Sequence, residues 1–214
     1  MPLQETGMIY MIRIPLILLT LSSCSAMNFG ELPRLIKDSI IGVDFEVTQE
    51  FYNSQSYSFA KIKIGRATVA ITVLASIHSG EYLWVSENGE KIYTHHGKII
   101  KTSGLGYDID TLDAQGRGPD FSYAKLDSAL TSYSSALMQL SNPSAVISQE
   151  FSLTNKGIDA NYFNAMLYEE VFTSGKLAFN GVNRYWVDPR GRVIKSEQLI
   201  HPRLPMITTE FYYQ

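Results

Sequence analysis

The chain reads as a mainly β protein: about ten antiparallel strands joined by hairpins, with a short N-terminal helix and one longer covering helix. Three observations predict this. Segments such as "FEVTQEFY" (from Phe45) and "YSFAKIKI" (from Tyr57) alternate apolar and polar residues with period two, as strands with one buried face do. Tight-turn signals recur between such segments, at Asn88-Gly89, His96-Gly97 and Asp188-Pro189-Arg190-Gly191. Tyr, Thr, Val and Ile are plentiful while charged residues make up only 18%, a balance that favours sheet over solvated helix.

The first element is not part of the fold. Ile14–Leu21 is an apolar run of about 8 residues, preceded by Arg13 and followed by Ser22-Ser23. A spanning helix needs roughly 20 such residues. A basic residue, a short apolar core and small residues before a cleavage point form the layout of a secretory signal. "LSSC" (Leu21 to Cys24) resembles a bacterial lipobox, in which the cysteine thiol accepts a diacylglyceryl group. Residues 1–23 are therefore expected to be a signal peptide, with Cys24 the lipid attachment site and residues 24–30 a lipid-anchored tether. Met1–Tyr10 carries Glu5 and no basic residue, which points to Met8 as the true start. Ser25 after the cysteine, rather than Asp, resembles the enterobacterial signal for the outer membrane.

Residues 31–214 are expected to form a single β-rich domain, long enough for a real core. Cys24 is the only cysteine, so an acylated chain has no thiol for a disulfide or a thiolate metal site. The formal charge of −3, with no cluster of Lys and Arg, argues against nucleic acid as a partner.

Within the domain, Leu32, Leu35, Ile36, Ser39 and Ile40 follow helical spacing, with Pro33 in the first turn and Gly42 as the stop. "RATVAITVLASI" is apolar enough for a strand covered on both faces. "EYLWVSENGEKIYTHHGKIIKT" (Glu81–Thr102) predicts three strands joined by two tight turns, with a type I′ turn at Asn88-Gly89. Ser103–Asp120 reads as a long loop. "AKLDSALTSYSSALMQL" places Leu126, Leu130, Tyr133, Leu137 and Leu140 at spacings of 4, 3, 4 and 3, which predicts the covering helix, ended before Pro143. Strands resume at Ala145–Ser152 and Ala165–Ser174, a hairpin turns at Asp188–Gly191, and "MITTEFYY" closes a set of about ten strands.

"NRYWVDPRGRVIKSEQ" (Asn183–Gln198) and "THHGKIIKTSGLG" (Thr94–Gly106), behind a lipobox, resemble the YjbF/GfcB-like lipoproteins of enteric bacteria. That family is associated with group 4 capsule and related exopolysaccharide operons. The resemblance implies an antiparallel meander curled into a half-barrel and no catalytic residues. It implies a role in export or assembly of an extracellular polysaccharide from the periplasmic face of the outer membrane. An outer-membrane barrel protein, other export proteins and the polysaccharide itself are the partners it suggests.

Three constellations are candidates for chemistry. Asp108, Asp110, Asp113 and Asp120 lack the alternation and closing Glu of a calcium loop. Adjacent His95 and His96 should point to opposite faces of a strand, so no metal or other cofactor is expected. Glu169, Glu170 and Glu197 lie on expected strands, and a sequence sets no spacing between them for glycosidic acid–base work. Trp84 and Trp186 sit in alternating strands, where core placement is the ordinary outcome. Arg184 and Trp186 share one strand face, which makes them the candidate glycan-binding pair. Beside a non-enzymatic polysaccharide-export lipoprotein stand two alternatives, a periplasmic lipid or lipoprotein carrier and a glycan-modifying enzyme.

Overall fold

The computed structural model of the chain describes residues 46–67, 69–113, 117–118, 121, 131–175 and 177–214. The signal peptide, Cys24 and its tether, the helix expected within 31–42, Asp120 and the start of the expected covering helix lie outside the described residues. Among the described residues there is one helix, α1 (Gln49–Ser54), and twelve strands. These are β1 (Phe59–Ile64), β2 (Ala70–His78), β3 (Glu81–Ser86), β4 (Lys91–His95), β5 (Lys98–Ser103) and β6 (Ile109–Thr111). They continue as β7 (Thr131–Leu140), β8 (Ala145–Asp159), β9 (Ala165–Thr173), β10 (Gly181–Val187), β11 (Val193–Gln198) and β12 (Ile207–Tyr212).

Each strand pairs antiparallel with the next, and β12 returns to β1, from Phe59 opposite Tyr212 to Ile64 opposite Ile207. The result is a closed barrel rather than the expected half-barrel. Closure satisfies two rows of backbone donors and acceptors that an open sheet would leave at its edges. It joins residues at opposite ends of the domain, and no local pattern announces that.

Alternation decides what fills the barrel. Ala60, Ile62, Trp84, Tyr168, Phe172, Tyr185, Ile207 and Phe211 belong to one buried core. Phe121, from the β6–β7 connection, adds a ring 5.1 Å from Tyr168 and 5.4 Å from Tyr185. Each large apolar side chain removed from water contributes about 1.5–3 kcal/mol. A second, smaller cluster lies outside the wall, where Phe59, Val69 and Ile71 are covered by Phe51 and Tyr52 of α1.

Helix α1 corrects the strand expected at "FEVTQEFY". Thr48 caps it, its hydroxyl accepting from Phe51 N at 3.1 Å, and Glu50 sits in the first turn. Once capped, the segment lays Phe51 edge-on against Phe59, at 5.4 Å.

The covering helix is corrected too, because residues 131–140 form strand β7 between β6 and β8. Met138 and Leu140 are buried while Leu137 is 44% exposed, so the leucines that looked like one helical face are split between two sides of a sheet. Thr131, Ser132, Ser134 and Ser135 are weak helix formers, and two strand edges offer this segment a full ladder. Part of the expected loop is strand β6, pairing Asp110 with Lys101 and with Gln139. Strand β2 is not covered on both faces, since Ile77 near its end is 57% exposed.

The β3–β4–β5 meander forms as expected, except that the turn at Asn88-Gly89 is not of type I′. His96 and Gly97 have φ of 47° and 79°, the two-residue geometry expected at Asn88-Gly89. At the latter only Gly89 is left-handed (φ 88°), and Ser86 N bonds Glu90 O at 3.0 Å across a three-residue loop. The Asp188 turn forms as its residues predict: Gly191 N bonds Asp188 O at 2.9 Å, and Asp188 Oδ1 accepts from Arg190 N and Arg192 N, each at 2.9 Å.

Candidate functional site

Two side-chain arrays stand out, one inside the barrel and one on its wall. Inside, the Glu170 carboxylate of β9 accepts from Lys98 Nζ of β5 at 3.0 Å, and from Asn183 Nδ2 and Tyr185 OH of β10 at 2.8 and 3.0 Å. Lys98 Nζ also stands 3.7 Å over the Phe151 ring. Gln198 of β11 completes the array, accepting from Ile99 N at 2.9 Å and donating to Gly97 O at 2.8 Å. Strands β5 and β11 lie on opposite sides of the twelve-strand ring, so these bonds mean that opposite walls touch. The barrel is flattened here into something close to two packed sheets.

Burial pulls the Lys98 ammonium below its usual pKa, against the pull of Glu170 in the other direction. Burial, then the nearby Glu170 charge, pushes the Tyr185 phenol well above its usual value, so it remains a donor. With Lys98, Asn183 and Tyr185 all aimed at Glu170, the array joins strands rather than presenting an open carboxylate.

On the outer wall, Arg184 lies directly opposite Glu169 of β9 and Glu197 of β11. Its Nε is 3.0 Å from Glu169 and its Nη1 is 3.5 Å from Glu197. Lys156 and Lys195 extend the row, 3.4 Å from Glu169 and 3.2 Å from Glu197. Trp186 shares this outer face with Arg184, as period two requires, but is only 6% exposed. Its indole N–H donates to Asp159 Oδ2 at 2.8 Å, Lys195 Nζ stands 4.2 Å over its ring, and Tyr162 packs 5.7 Å away. The bond from Trp186, then that from Asn161 N, holds the Asp159 carboxyl below its usual pKa.

The candidate chemical residues are dispersed. Glu170 faces inward while Glu169 and Glu197 face outward, bridged by the Arg184 guanidinium. Asp108 accepts from Thr102 Oγ1, Gly104 N and Leu105 N, Asp110 pairs with Lys101, and Asp113 accepts from Leu137 N. Each thus stabilises a different turn or strand pair. The His95 and His96 rings do not point apart; they meet edge to face at 4.2 Å, because His96 is left-handed. Among the described residues, no three His, Cys, Asp or Glu side chains are grouped to hold a metal ion. Trp84 is buried in the core, its indole N–H donating to Thr94 Oγ1 at 2.9 Å.

Sequence reasoning missed Lys98, Gln198, Tyr162 and Phe163. Nothing local marks Lys98 or Gln198, whose partners are distant in the chain. The segment "NYFN" (Asn161–Asn164) did carry a signal, two aromatic residues enclosed by turn-forming asparagines.

The fold and arrays define a flattened, closed antiparallel β-barrel with a filled interior and a charged, aromatic outer wall. Residues 34–211 match the family described as "Group 4 capsule polysaccharide lipoprotein gfcB, YjbF", and the chain belongs to that family. The uncharacterized lipoprotein YjbF of Escherichia coli (strain K12) is 23% identical over 194 residues, covering 86% of this chain and 89% of that one. The crystal structure of the hypothetical lipoprotein YmcC from Escherichia coli (K12) superposes with a TM-score of 0.66 at 19% identity. That likeness covers 77% of this chain and 88% of the other, and shows a shared fold.

Proposed function

We propose that the chain is an outer-membrane lipoprotein that assists export or assembly of a capsule-type extracellular polysaccharide without catalysing a reaction on it. The anchor is the acylated Cys24, and the barrel lies on the periplasmic face. Membership of a capsule polysaccharide lipoprotein family over residues 34–211 is the observation that carries this reading. The geometry is compatible with it. A barrel flattened on its own side chains acts through its outer surface, and the outward acids Glu169 and Glu197 are neutralised by the same arginine.

A deletion strain tests the reading. Surface polysaccharide should fall while polymer or precursor accumulates inside the cell, and the wild-type gene should restore it. Unchanged surface and internal polymer would refute it. Labelling with radioactive palmitate should mark the wild-type protein and not the Cys24→Ala variant; an unlabelled wild type would refute the anchor.

One observation favours a lipid carrier as second reading. At the end of the barrel where the β1–β2 and β3–β4 turns meet, Ile62, Ile64, Ile92 and Leu105 line a cavity of about 500 Å³. Barrel mouths are common ligand sites. Mass spectrometry of organic extracts of the purified protein should then find stoichiometric lipid beyond the covalent anchor.

A further inference from the structure

We propose that the groove beside the β8–β9 turn is a binding site for neutral sugar rings of a polysaccharide, with Phe163 as its exposed stacking face. This deepens the polysaccharide reading above and rests on it. The groove lies on the outer wall and encloses about 500 Å³ between the start of α1, strands β1, β11 and β12, and the turn bearing Tyr162 and Phe163.

Three independent features point to a ligand. The first is Phe163 itself. It is 82% exposed, and its backbone is left-handed at φ 49°, as is that of Asn164 at 51°. A bulky side chain in that region is uncommon and strained, and glycine would make the same turn without strain. A phenyl ring held in water by an unfavourable backbone gains nothing for folding; strain of this kind concentrates at ligand clamps.

The second feature is the support behind it. Tyr162 stands 5.1 Å from Phe163 and 5.7 Å from Trp186, and Lys195 Nζ lies 5.0 Å over the Tyr162 ring. The platform is therefore backed by a packed stack that reaches the Arg184–Trp186 face.

The third is the chemistry of the opposite side. Tyr212 donates to Glu210 Oε2 at 2.8 Å, and Lys61 Nζ is 3.7 Å from the same oxygen. Burial, then the Glu210 charge, pushes the Tyr162 and Tyr212 phenols well up, so both stay protonated. The groove thus offers aromatic faces, a carboxylate acceptor, the Tyr162 hydroxyl as a donor and the Tyr212 hydroxyl oxygen as a further acceptor. Its lysine is balanced by Glu210, and Arg192 by Asp188 at 2.9 Å. Balanced charges disfavour a polyanion, and a paired Lys–Glu floor disfavours an acyl chain. Sugar rings fit both demands, since their C–H faces stack on aromatic rings while their hydroxyls meet paired polar groups.

The test uses the full-length, detergent-solubilised protein. Titration calorimetry is run with oligosaccharides cut by mild acid from the exopolysaccharide of the strain that encodes it, and with dextran oligosaccharides of matched length. The expected result is binding of the first set only, weakened at least tenfold in Phe163→Ala and in Phe163→Gly, with no lowering of the Phe163→Gly thermal midpoint. Phe163→Gly suits the left-handed turn, so it separates loss of the ring from loss of the fold. Undiminished affinity in both variants would overturn the site, as would equal binding of dextran or no binding at millimolar oligosaccharide. Loss of a co-purifying protein in both variants, without sugar binding by the wild type, would make the groove a protein-docking site and overturn the carbohydrate assignment. A clear export defect in the deletion strain, fully rescued by Phe163→Gly, would refute the groove alone. Absence of any defect would refute the function reading instead.

Discussion

Replacing Lys98 with methionine keeps the unbranched stem, one atom shorter, and removes the ammonium from the barrel interior. The Glu170 carboxylate it faces is fully buried, and Asn183 and Tyr185 still donate to it. Breaking a buried pair by removing one partner costs about 3–5 kcal/mol, because the remaining charge cannot be rehydrated. The cation over Phe151 is lost as well, a contact worth up to about 2 kcal/mol when desolvated. A domain of ordinary stability has about 5–15 kcal/mol in total, so Lys98→Met should lose about a fifth of it or more. Adding Glu170→Gln removes the stranded charge and leaves an amide oxygen for Asn183 and Tyr185. The double variant should regain about 2–3 kcal/mol over Lys98→Met. Urea unfolding at pH 7, followed by far-ultraviolet circular dichroism and by fluorescence of the buried Trp84 and Trp186, measures both differences. A single variant within about 1 kcal/mol of wild type, or a double no more stable than the single, would show that the array does not hold the walls together.

Three further outcomes follow from the packing. His201 is buried, its Nε2 donating to Ser141 O at 3.0 Å and its Nδ1 accepting from Arg203 N at 3.1 Å, a neutral ring that burial holds below its usual pKa. The unfolded chain then binds the extra proton more readily, so stability is full above about pH 6.5 and falls with pH through the folded pKa. Urea midpoints measured from pH 8 to 5 should lose that component of the fall in His201→Gln. Phe163→Gly should leave stability unchanged or raise it by up to about 1.5 kcal/mol, since relief of left-handed strain (about 1–2) matches or outweighs the added chain entropy (about 0.5–1); the thermal midpoint reports it. Gly97→Ala should cost more than about 2 kcal/mol, because at φ 79° its Cβ would lie 2.5 Å from Val193 Cβ; a lower urea midpoint with an unchanged slope is the expected sign.

What the amino-acid order determined by itself is local. Asp188, Pro189 and Gly191 supply an acceptor, a preset φ and a left-handed position within one turn, and that hairpin forms as its chemistry requires. The β3–β5 meander follows from alternation interrupted by turn residues a few positions apart. Period two also placed Arg184 and Trp186 on one face, and put Glu169 opposite Glu170. Which of those faces became the interior was decided only by tertiary structure, because alternation is symmetric until closure defines an inside. The same holds for residues 131–140, whose leucine spacing suits a helix but whose neighbours β6 and β8 supply a ladder. Closure through Phe59–Tyr212, the flattening through Gln198 and the pairing of Lys98 with Glu170 all join residues far apart in the chain. Their free energy comes from desolvation and hydrogen bonds that exist only once distant strands meet, so short-range pattern carries no trace of them.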